Sequence, residues 1–307
     1  MRMCRDCRGA VGVQLASACP VDLYQHVRMA MTDHPHVPSG TQALERAFLL
    51  LRLIAAAGVQ GADMATLCEG CDCSRPTLYR LLQALRRQGF VRPAERRGRY
   101  VLGYELFALG AQAGNASALR EWARPVLLRL AQRFGDSFFL LVRDGYDVLC
   151  LDLLAGEQPV QSYSRSVGGR IPMGVGQASQ VLLAHMPRAE RKDILRHNAA
   201  VLRLEYGLDI ELLAASLDSV RRLGFASGLA DRRLPGYTGL AVPILDAAGA
   251  PLGALSCALA RPRMTEARRR ALAQAMREAA ASCKPQASSK SGKEESRQRS
   301  GASIHPD

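Results

Sequence analysis

The sequence of 307 residues predicts two domains: a mainly α winged helix-turn-helix domain, followed by an α+β domain in which helices pack on an antiparallel sheet. Three observations lead to this prediction. The length fits about two domains, at roughly 150 residues each. Helical periodicity, closed by one short hairpin, dominates residues 41–103. Two longer apolar hairpins, separated by helical segments, follow in the second half of the chain.

The composition fits soluble hydrophobic cores and an anionic partner. Hydrophobic residues make up 48% of the chain, and the formal net charge is +13 at pH 7. An excess of Lys and Arg of this size favours nucleic acid or another anionic surface as the partner. No run of about eighteen apolar residues occurs, so we expect no transmembrane helix.

The chain begins with an irregular leader, residues 1–40, which ends in TDHPHVPSG, where prolines and a glycine prevent a regular element. The arginines and small apolar residues near the start imitate a signal peptide only weakly. Gln14 interrupts the apolar run, and Asp6 lies among the basic residues. We therefore expect a disordered leader and a cytoplasmic protein.

The elements of the first domain follow in order. A first helix lies in TQALERAFLLLRLIAAAG, where an apolar stripe recurs at helical spacing and Gly58 ends it. A short helix, DMATLCEG, begins after Asp63 as N-cap, and a third, in SRPTLYRLLQALRR, begins after Ser74. FVRPAERRGRYVLG alternates as a hairpin that turns at RRG. This order of elements is typical of a winged helix-turn-helix.

The third helix has one apolar and one polar face. Its leucines share the buried face, whereas long polar donors occupy the opposite face and its flanks. Residues 75–99 hold eight arginines against one acidic residue, Glu95. Such a helix suits the major groove of DNA, and arginines at a hairpin tip suit phosphates or the minor groove. The predicted DNA-binding residues are Arg75, Pro76, Thr77, Tyr79, Arg80, Gln83, Arg86, Arg96, Arg97 and Arg99.

The second half mixes strands and helices. Residues 104–134 are helical with a break at GNAS, and SFFLLVRDGYDVLCLDLL then forms a hairpin at Asp144-Gly145. PVQSYSRSV predicts a third strand, GVGQASQVLLAHM a helix, and residues 187–197 and 208–223 two more helices. TGLAVPILDAAGAPLGALSCALA predicts a second hairpin, and TEARRRALAQAMREAAASC a last helix. The polar residues 284–307 predict a disordered tail.

Six stretches in this order resemble the IclR (isocitrate lyase regulator) family of bacterial transcription regulators. They are ALERAFLLLRLIAA, SRPTLYRLLQALRRQGFV, GRYVLGYELFALG, LREWARPVLLRLAQRFGDSFFLLVRDGYDVLCLD, RIPMGVGQASQVLLAHMP and GLAVPILDAAGAPLGALSCA. The resemblance covers residues 41–283 and implies a winged helix-turn-helix domain (41–103), a linker helix (104–118) and a GAF-like effector-binding domain (119–283), between the disordered leader (1–40) and the disordered tail (284–307) that the composition predicts.

The resemblance also implies a mode of action. Such a regulator binds a palindromic operator in double-stranded DNA as a dimer or tetramer, needs no cofactor, and responds to a small-molecule effector, often a small or aromatic carboxylate. The resemblance places the effector between the sheet and the helix after RIPM. With hydrogen-bonding and carboxylate-pairing side chains added from the local chemistry, the predicted effector-binding residues are Gly174, Val175, Gly176, Gln177, Asp231, Arg233, Gly239 and Ser256.

The chain departs from the family pattern at three places, one of which is Pro76, where a serine is more common. Asp72 stands in the turn before the third helix, where the family usually has glycine, and aspartate accepts left-handed geometry less easily. SGLADRRLPG carries Arg232 and Arg233 where acidic residues are usual, so the effector's identity does not carry over from relatives.

The sequence offers two alternatives to this function, a regulator that senses a metal or an oxidant and an enzyme. Cys68, Cys71 and Cys73 have Cys-x2-Cys-x-Cys spacing, which leaves open a regulator that senses a metal or an oxidant. A structural zinc site needs four ligands, however, and two of these cysteines fall where the motif needs small apolar residues. An enzyme is not expected, because the chain lacks Gly-x-Ser-x-Gly, a phosphate loop and His-Glu-x-x-His.

Overall fold

The computed structural model describes residues 41–115, 119–157, 160, 162, 166–228 and 234–283. The chain divides into two compact units whose boundary falls between Ala116 and Ser117. The predicted leader and tail lie outside the described residues, as do most of the strand predicted in PVQSYSRSV and the predicted effector residues Asp231 and Arg233.

The first unit is a small helical domain with a three-stranded antiparallel sheet in the order β1-β3-β2. Its described elements are α1 (Gln42–Ala56), β1 (Ala62–Asp63), α2 (Met64–Cys71), α3 (Arg75–Arg87), β2 (Val91–Pro93), β3 (Arg99–Leu102) and α4 (Glu105–Asn115). Leu50, Leu53, Leu67, Leu78 and Leu82 form the centre of its core. Because these leucines come from α1, α2 and α3, the three helices are held against one another by burial of apolar surface.

Local chemistry explains where α2 and α3 begin. Asp63 caps α2 as predicted, because its carboxylate accepts the Thr66 backbone N–H at 2.9 Å. Ser74 occupies the N-cap of α3 with extended backbone, although its hydroxyl contacts the Thr77 hydroxyl at 3.0 Å instead of a backbone N–H. Between them, Asp72 ends α2 in a left-handed conformation. The helix-turn-helix therefore lies at the residues for which the sequence predicted it.

The second unit is an α+β domain. Its described helices are α5 (Leu119–Phe134), α6 (Gly176–His185), α7 (Arg188–His197), α8 (Ala199–Leu204), α9 (Ile210–Leu223) and α10 (Glu266–Ser282). Its described strands are β4 (Ser137–Asp144), β5 (Asp147–Leu154), β6 (Arg170–Pro172), β7 (Ala226–Ser227), β8 (Tyr237–Leu245) and β9 (Pro251–Ala260). These strands form one antiparallel sheet in the order β6-β5-β4-β9-β8-β7, which confirms the predicted fold class.

Helices cover both faces of this sheet, and the residues of β9 show how. Leu255, Cys257 and Leu259 belong to a core shared with α5 and α10. Ala254 and Ala258 belong to the opposite core, which is shared with α6, α7, α8 and α9. Because side chains alternate along a strand, the α6 side of β9 carries small residues from Ala254 to Ala260. That side therefore has room close to the backbone.

The elements that the sequence did not predict are short. They are β1, β6, β7 and α8, each of six residues or fewer. Both predicted apolar hairpins form, as β4–β5 and β8–β9. Of the break predicted at GNAS, Gly114 and Asn115 are still helical at the end of α4, and the remaining two residues lie outside the described ones. Within the described residues, no helix is long and apolar enough to cross a bilayer.

Candidate functional site

Helix α3 presents its polar face to solvent. Leu78 and Leu82 are fully buried, whereas the predicted DNA-contacting residues on the other side are open or half-buried. The exposed ones are Arg75, Pro76, Tyr79, Arg80 and Arg86, and the half-buried ones are Thr77 and Gln83. The helix contains no acidic residue and begins after a turn, so its N-terminal end and its open face both favour an anion.

The positive charge on this surface is not neutralised within the domain. None of the exposed side chains of Arg75, Arg80, Arg86, Arg96 and Arg97 forms an ion pair or hydrogen bond with another residue in the part of the chain that the structure describes. Two of them lie in the turn between β2 and β3. A helix and a hairpin turn that both expose unpaired guanidinium groups are suited to phosphate and base contacts.

Arg99 and Arg92 are engaged inside the domain. The Arg99 guanidinium donates to the Gly61 carbonyl at 2.8 Å and lies 3.4 Å from the Asp63 carboxylate. The Arg92 guanidinium lies over the Tyr104 ring at 5.1 Å. Arg99 stands at the first position of β3, so this contact ties the hairpin to the start of α2. The contact of Arg99 with DNA stays a prediction. In the structure, Arg99 holds the β2–β3 hairpin against the start of α2.

The three cysteines lie in the core of the winged helix. Cys71 is buried, and Cys68 and Cys73 are half-buried against the same hydrophobic cluster. Burial, together with the neighbouring thiols of Cys73 and Cys68, raises the pKa of Cys71 to about 12. Among the described residues, no group of three or more His, Cys, Asp or Glu side chains is arranged to hold a metal ion. Metal or oxidant sensing at these thiols stays a hypothesis.

The loop before α6 is shaped by two glycines. A side chain on Gly174, which has φ 117°, would meet the Leu202 side chain, and the Gly174 N–H donates to the Ser179 hydroxyl. Gly176, at φ 76°, begins α6 with no other group within 4 Å of the position of a Cβ atom. Val175 between them is fully buried. The loop is therefore fixed at Gly174 and open at Gly176, where the backbone can approach a ligand.

Gln177 and Gly239 come together across the space between α6 and β8. A Cβ atom on Gly239 would lie 3.2 Å from the Gln177 side-chain oxygen and would overlap the Cys257 carbonyl. Ser256 lies opposite Ala241 in the β8–β9 pair and is 8% exposed. Since Ser256 alternates with Leu255 and Cys257, it faces α6. Of the predicted effector residues that the structure describes, Gln177 and Gly239 are thus brought into contact, and Ser256 lies on the side of the sheet that α6 covers.

Gln180 is a buried polar residue of α6 that the sequence did not single out. It lies one turn after Gln177 on α6 and is 5% exposed. The sequence pattern GQASQVLLA could have pointed to it, because two glutamines stand three positions apart in a helix whose other residues are apolar or small. The sequence also did not indicate that Asp136 and Asp152 are buried and form ion pairs with arginines.

Comparisons with known proteins agree with this architecture. The family model described as "Bacterial transcriptional regulator IclR C-terminal" matches residues 112–284, and that of the IclR helix-turn-helix domain matches residues 43–95. The HTH-type transcriptional regulator BhcR of Paracoccus denitrificans is 29% identical over 246 residues, covering 78% of this chain and 85% of that protein. The repressor AllR of Escherichia coli is 24% identical over 76% of this chain and 86% of its own length.

Solved structures show the same fold. The IclR protein of Thermotoga maritima superimposes with a TM-score of 0.62 at 24% identity, over 79% of this chain and 97% of that one. An IclR homolog from Microbacterium hydrocarbonoxydans, crystallised in complex with 4-hydroxybenzoate, superimposes with a TM-score of 0.64 at 22% identity. That match covers 78% of this chain and 97% of the homolog.

Proposed function

The chain belongs to the IclR family of bacterial transcriptional regulators, and from this premise we propose that it binds a palindromic operator and that a small carboxylate effector controls the binding. Its curated relatives are transcriptional regulators, and its two domains are regulator domains, so it is not an enzyme. The proposal has three parts, which concern the DNA surface, a second copy of the chain, and the effector site. As a DNA-binding regulator it would work in the cytoplasm, where bacterial DNA lies.

The single observation that carries the DNA part is the unpaired positive charge on α3 and the β2–β3 turn. Arg75, Arg80 and Arg86 are all exposed on α3, and Arg96 and Arg97 extend the charge to the turn. Placing α3 in the major groove brings the arginines to guanine edges and phosphates. The turn then reaches the flanking backbone.

Self-association is supported by helix α4. Tyr104, just before it, is 75% exposed and Phe107 is 77% exposed. The helix carries no charged residue after Glu105. An apolar helix of this kind is stabilised when its exposed side packs on a partner. A second copy of the same chain is the partner that a palindromic operator requires, since each copy supplies one recognition helix.

The effector part depends on the layer between α6 and the sheet. Backbone N–H groups at the start of α6 favour an anion, and Gly176 leaves them accessible. The homolog from Microbacterium hydrocarbonoxydans was crystallised with 4-hydroxybenzoate, which is an aromatic carboxylate. A carboxylate at this helix end is therefore the ligand class that we propose, with Asp231 and Arg233 as further candidate contacts. Control of DNA binding then requires that the effector bind the DNA-competent and DNA-incompetent forms with different affinity.

The DNA part is tested by Arg80→Ala in a binding assay with DNA from upstream of the protein's own gene. Loss of an arginine that contacts a base costs about 1–3 kcal/mol, or roughly 5- to 150-fold in affinity. Arg203→Ala is the matched control, because Arg203 is equally exposed but lies on α8 in the second unit. Equal affinities for the two variants would refute docking through α3.

The effector part is tested by thermal shift of the full-length protein against small organic acids. A ligand that binds only the native state raises the midpoint of unfolding. A hit must also change the affinity for the upstream DNA, because a ligand without that effect does not control binding. Ser256→Ala is expected to weaken a hit while leaving DNA affinity in the absence of acid unchanged.

A further inference from the structure

We infer that Asp63 and Arg99 are positioning residues for operator binding, because together they fix the β2–β3 turn beside the helix-turn-helix. That turn carries Arg96 and Arg97, the two exposed arginines that extend the positive charge of α3. The inference rests on the proposed DNA surface and changes the role of one residue in it. Arg99 supports the arginines of the turn and does not itself bind DNA.

The Arg99 side chain is bound by two acceptors in the segment that leads into α2. Its guanidinium donates to the Gly61 carbonyl at 2.8 Å and lies 3.4 Å from the Asp63 carboxylate. Asp63 stands directly opposite Arg99 in the β1–β3 pair, so the two side chains leave the sheet on the same side. These contacts leave the Arg99 side chain only 26% exposed.

Asp63 serves two elements with its two carboxylate oxygens. Its Oδ1 accepts the backbone N–H and the hydroxyl of Thr66, each at 2.9 Å, and so caps α2. Its Oδ2 faces the Arg99 guanidinium. The hydrogen bonds from Thr66, together with the Arg99 charge, lower the pKa of Asp63, so the carboxylate is charged at neutral pH. One side chain therefore joins β3 to the first turn of α2.

The β2–β3 turn is closed on the backbone of Arg99. The Arg99 N–H donates to the Arg96 carbonyl at 3.3 Å, and the Ala94 N–H donates to the Arg99 carbonyl at 2.9 Å. The turn that carries Arg96 and Arg97 therefore has as its base the residue that Asp63 holds.

The contact between Asp63 and Arg99 sets the spacing between the two parts of the DNA surface. Helix α2 leads through Asp72 into α3, and leucines of both helices share one core. Fixing the β2–β3 turn to the start of α2 thus fixes it relative to α3. Groups that bind a ligand need neighbours that hold them in place. With α3 in the major groove, this spacing decides whether the turn meets a phosphate.

Asp63→Asn in the full-length protein tests the inference, because asparagine caps a helix as well as aspartate but cannot pair with Arg99 as a charge. Loss of a negative charge near DNA by itself leaves the affinity equal or higher. We expect instead that Asp63→Asn weakens binding to the upstream DNA about 2- to 10-fold. Glu95→Gln is the matched control, because Glu95 is an exposed acid in the same turn and its loss should not weaken binding. Circular dichroism at the assay temperature checks that both variants are folded.

A second measurement separates a positioning role from a general loss of stability. Arg96→Ala/Arg97→Ala is made in the wild-type and in the Asp63→Asn background. In the wild type it should reduce the salt slope of binding by about 2, one for each lost phosphate contact. In the Asp63→Asn background it should cost at least about 2-fold less affinity, since the turn no longer meets the phosphates. Arg99→Lys should weaken binding as Asp63→Asn does, because lysine keeps the charge but lacks the fork that reaches both acceptors.

Three results would overturn the inference. The first is an affinity of Asp63→Asn that equals or exceeds that of Glu95→Gln. The second is an equal cost of the arginine pair in both backgrounds. The third is full wild-type affinity in Arg99→Lys, which would identify Arg99 as a phosphate contact that lysine can replace.

The inference and the proposed function fail in different ways. If Arg80→Ala binds the upstream DNA as tightly as the wild type does, the proposed DNA surface is wrong and the inference falls with it. If Arg80→Ala weakens binding while Asp63→Asn does not, the inference alone is wrong.

Discussion

Asp72 shows at the scale of one residue how the motif constrains its sequence. It has φ 45° and is the one non-glycine residue with positive φ in the part of the chain that the structure describes. Left-handed backbone is costly for most residues, but Asp and Asn accept it through local hydrogen bonding. The sequence predicted this conformation, because the turn of the motif needs it whichever residue is present. The sequence did not show that Gln180 is buried, because its burial depends on the elements that pack on α6.

The cysteines of the winged helix are expected to differ in reactivity according to their burial. Burial raises the pKa of Cys71 and of Cys257 to about 12 each, so both stay protonated thiols at neutral pH. Because only the thiolate reacts, iodoacetamide at pH 8 should modify the half-exposed Cys68 and Cys73 well before these two. Peptide mapping after timed labelling measures the order.

The pH dependence of the free energy of unfolding follows from the raised pKa of the buried thiols. A thiol whose folded-state pKa lies above its ordinary value of 9.0 keeps its proton when the unfolded chain has lost it. The free energy of unfolding therefore falls as the pH rises from about 9 toward 12. Labelling of Cys71 as fast as Cys68 would contradict this account. Loss of operator binding on labelling, absent in a Cys68→Ala/Cys73→Ala variant, would favour the oxidant-sensing alternative.

At the scale of secondary-structure elements, the sequence predicted the helices and strands that are long enough to show a hydrophobic periodicity. Helix α3 has its buried leucines on one side and its arginines on the other, as the spacing required. Strands β6 and β7 contain three and two residues, and each is defined only by pairing with a neighbour that is distant in sequence. Two or three residues are too few to show a hydrophobic periodicity, so these short strands are determined by pairing with their neighbours in the sheet and not by local sequence.

Helix α4 carries a prediction about assembly. Phe107→Asp places a charge in the exposed apolar surface, and burying that charge in an interface costs free energy. Self-association of the protein, measured by analytical ultracentrifugation, should weaken about 10-fold or more. Gln112→Asp is the matched control, because a residue five positions later lies about 140° around the helix. Equal dissociation constants for the two variants would show that this side of α4 is not an interface.

At the scale of the whole molecule, buried ion pairs join parts that are far apart in the chain. Asp136, fully buried before β4, lies 2.9 Å from Arg263 and 2.7 Å from Arg268. Asp152 on β5 receives two 2.8 Å hydrogen bonds from Arg124 of α5. The sequence shows these aspartates only as acids within or beside apolar strands. Their partners are set by the tertiary fold, which is why the pairs could not be predicted.

The two units have separate cores, and this leads to a prediction about unfolding. The described core of the winged helix draws its residues from 49–102, and the two described cores of the α+β unit draw theirs from residues after 118. Domains with separate cores unfold as separate cooperative units. Scanning calorimetry of the full chain should therefore resolve two transitions.

A matched pair of variants assigns these transitions. Leu82 lies in the core of the winged helix and Leu183 in that of the α+β unit, and both are essentially fully buried. Leu→Ala at such sites costs about 2–5 kcal/mol, so Leu82→Ala should lower one midpoint and Leu183→Ala the other. An acid that binds beside α6 should raise only the midpoint that Leu183→Ala lowers. A single transition that both variants lower equally would show that the two units unfold together and would contradict this prediction.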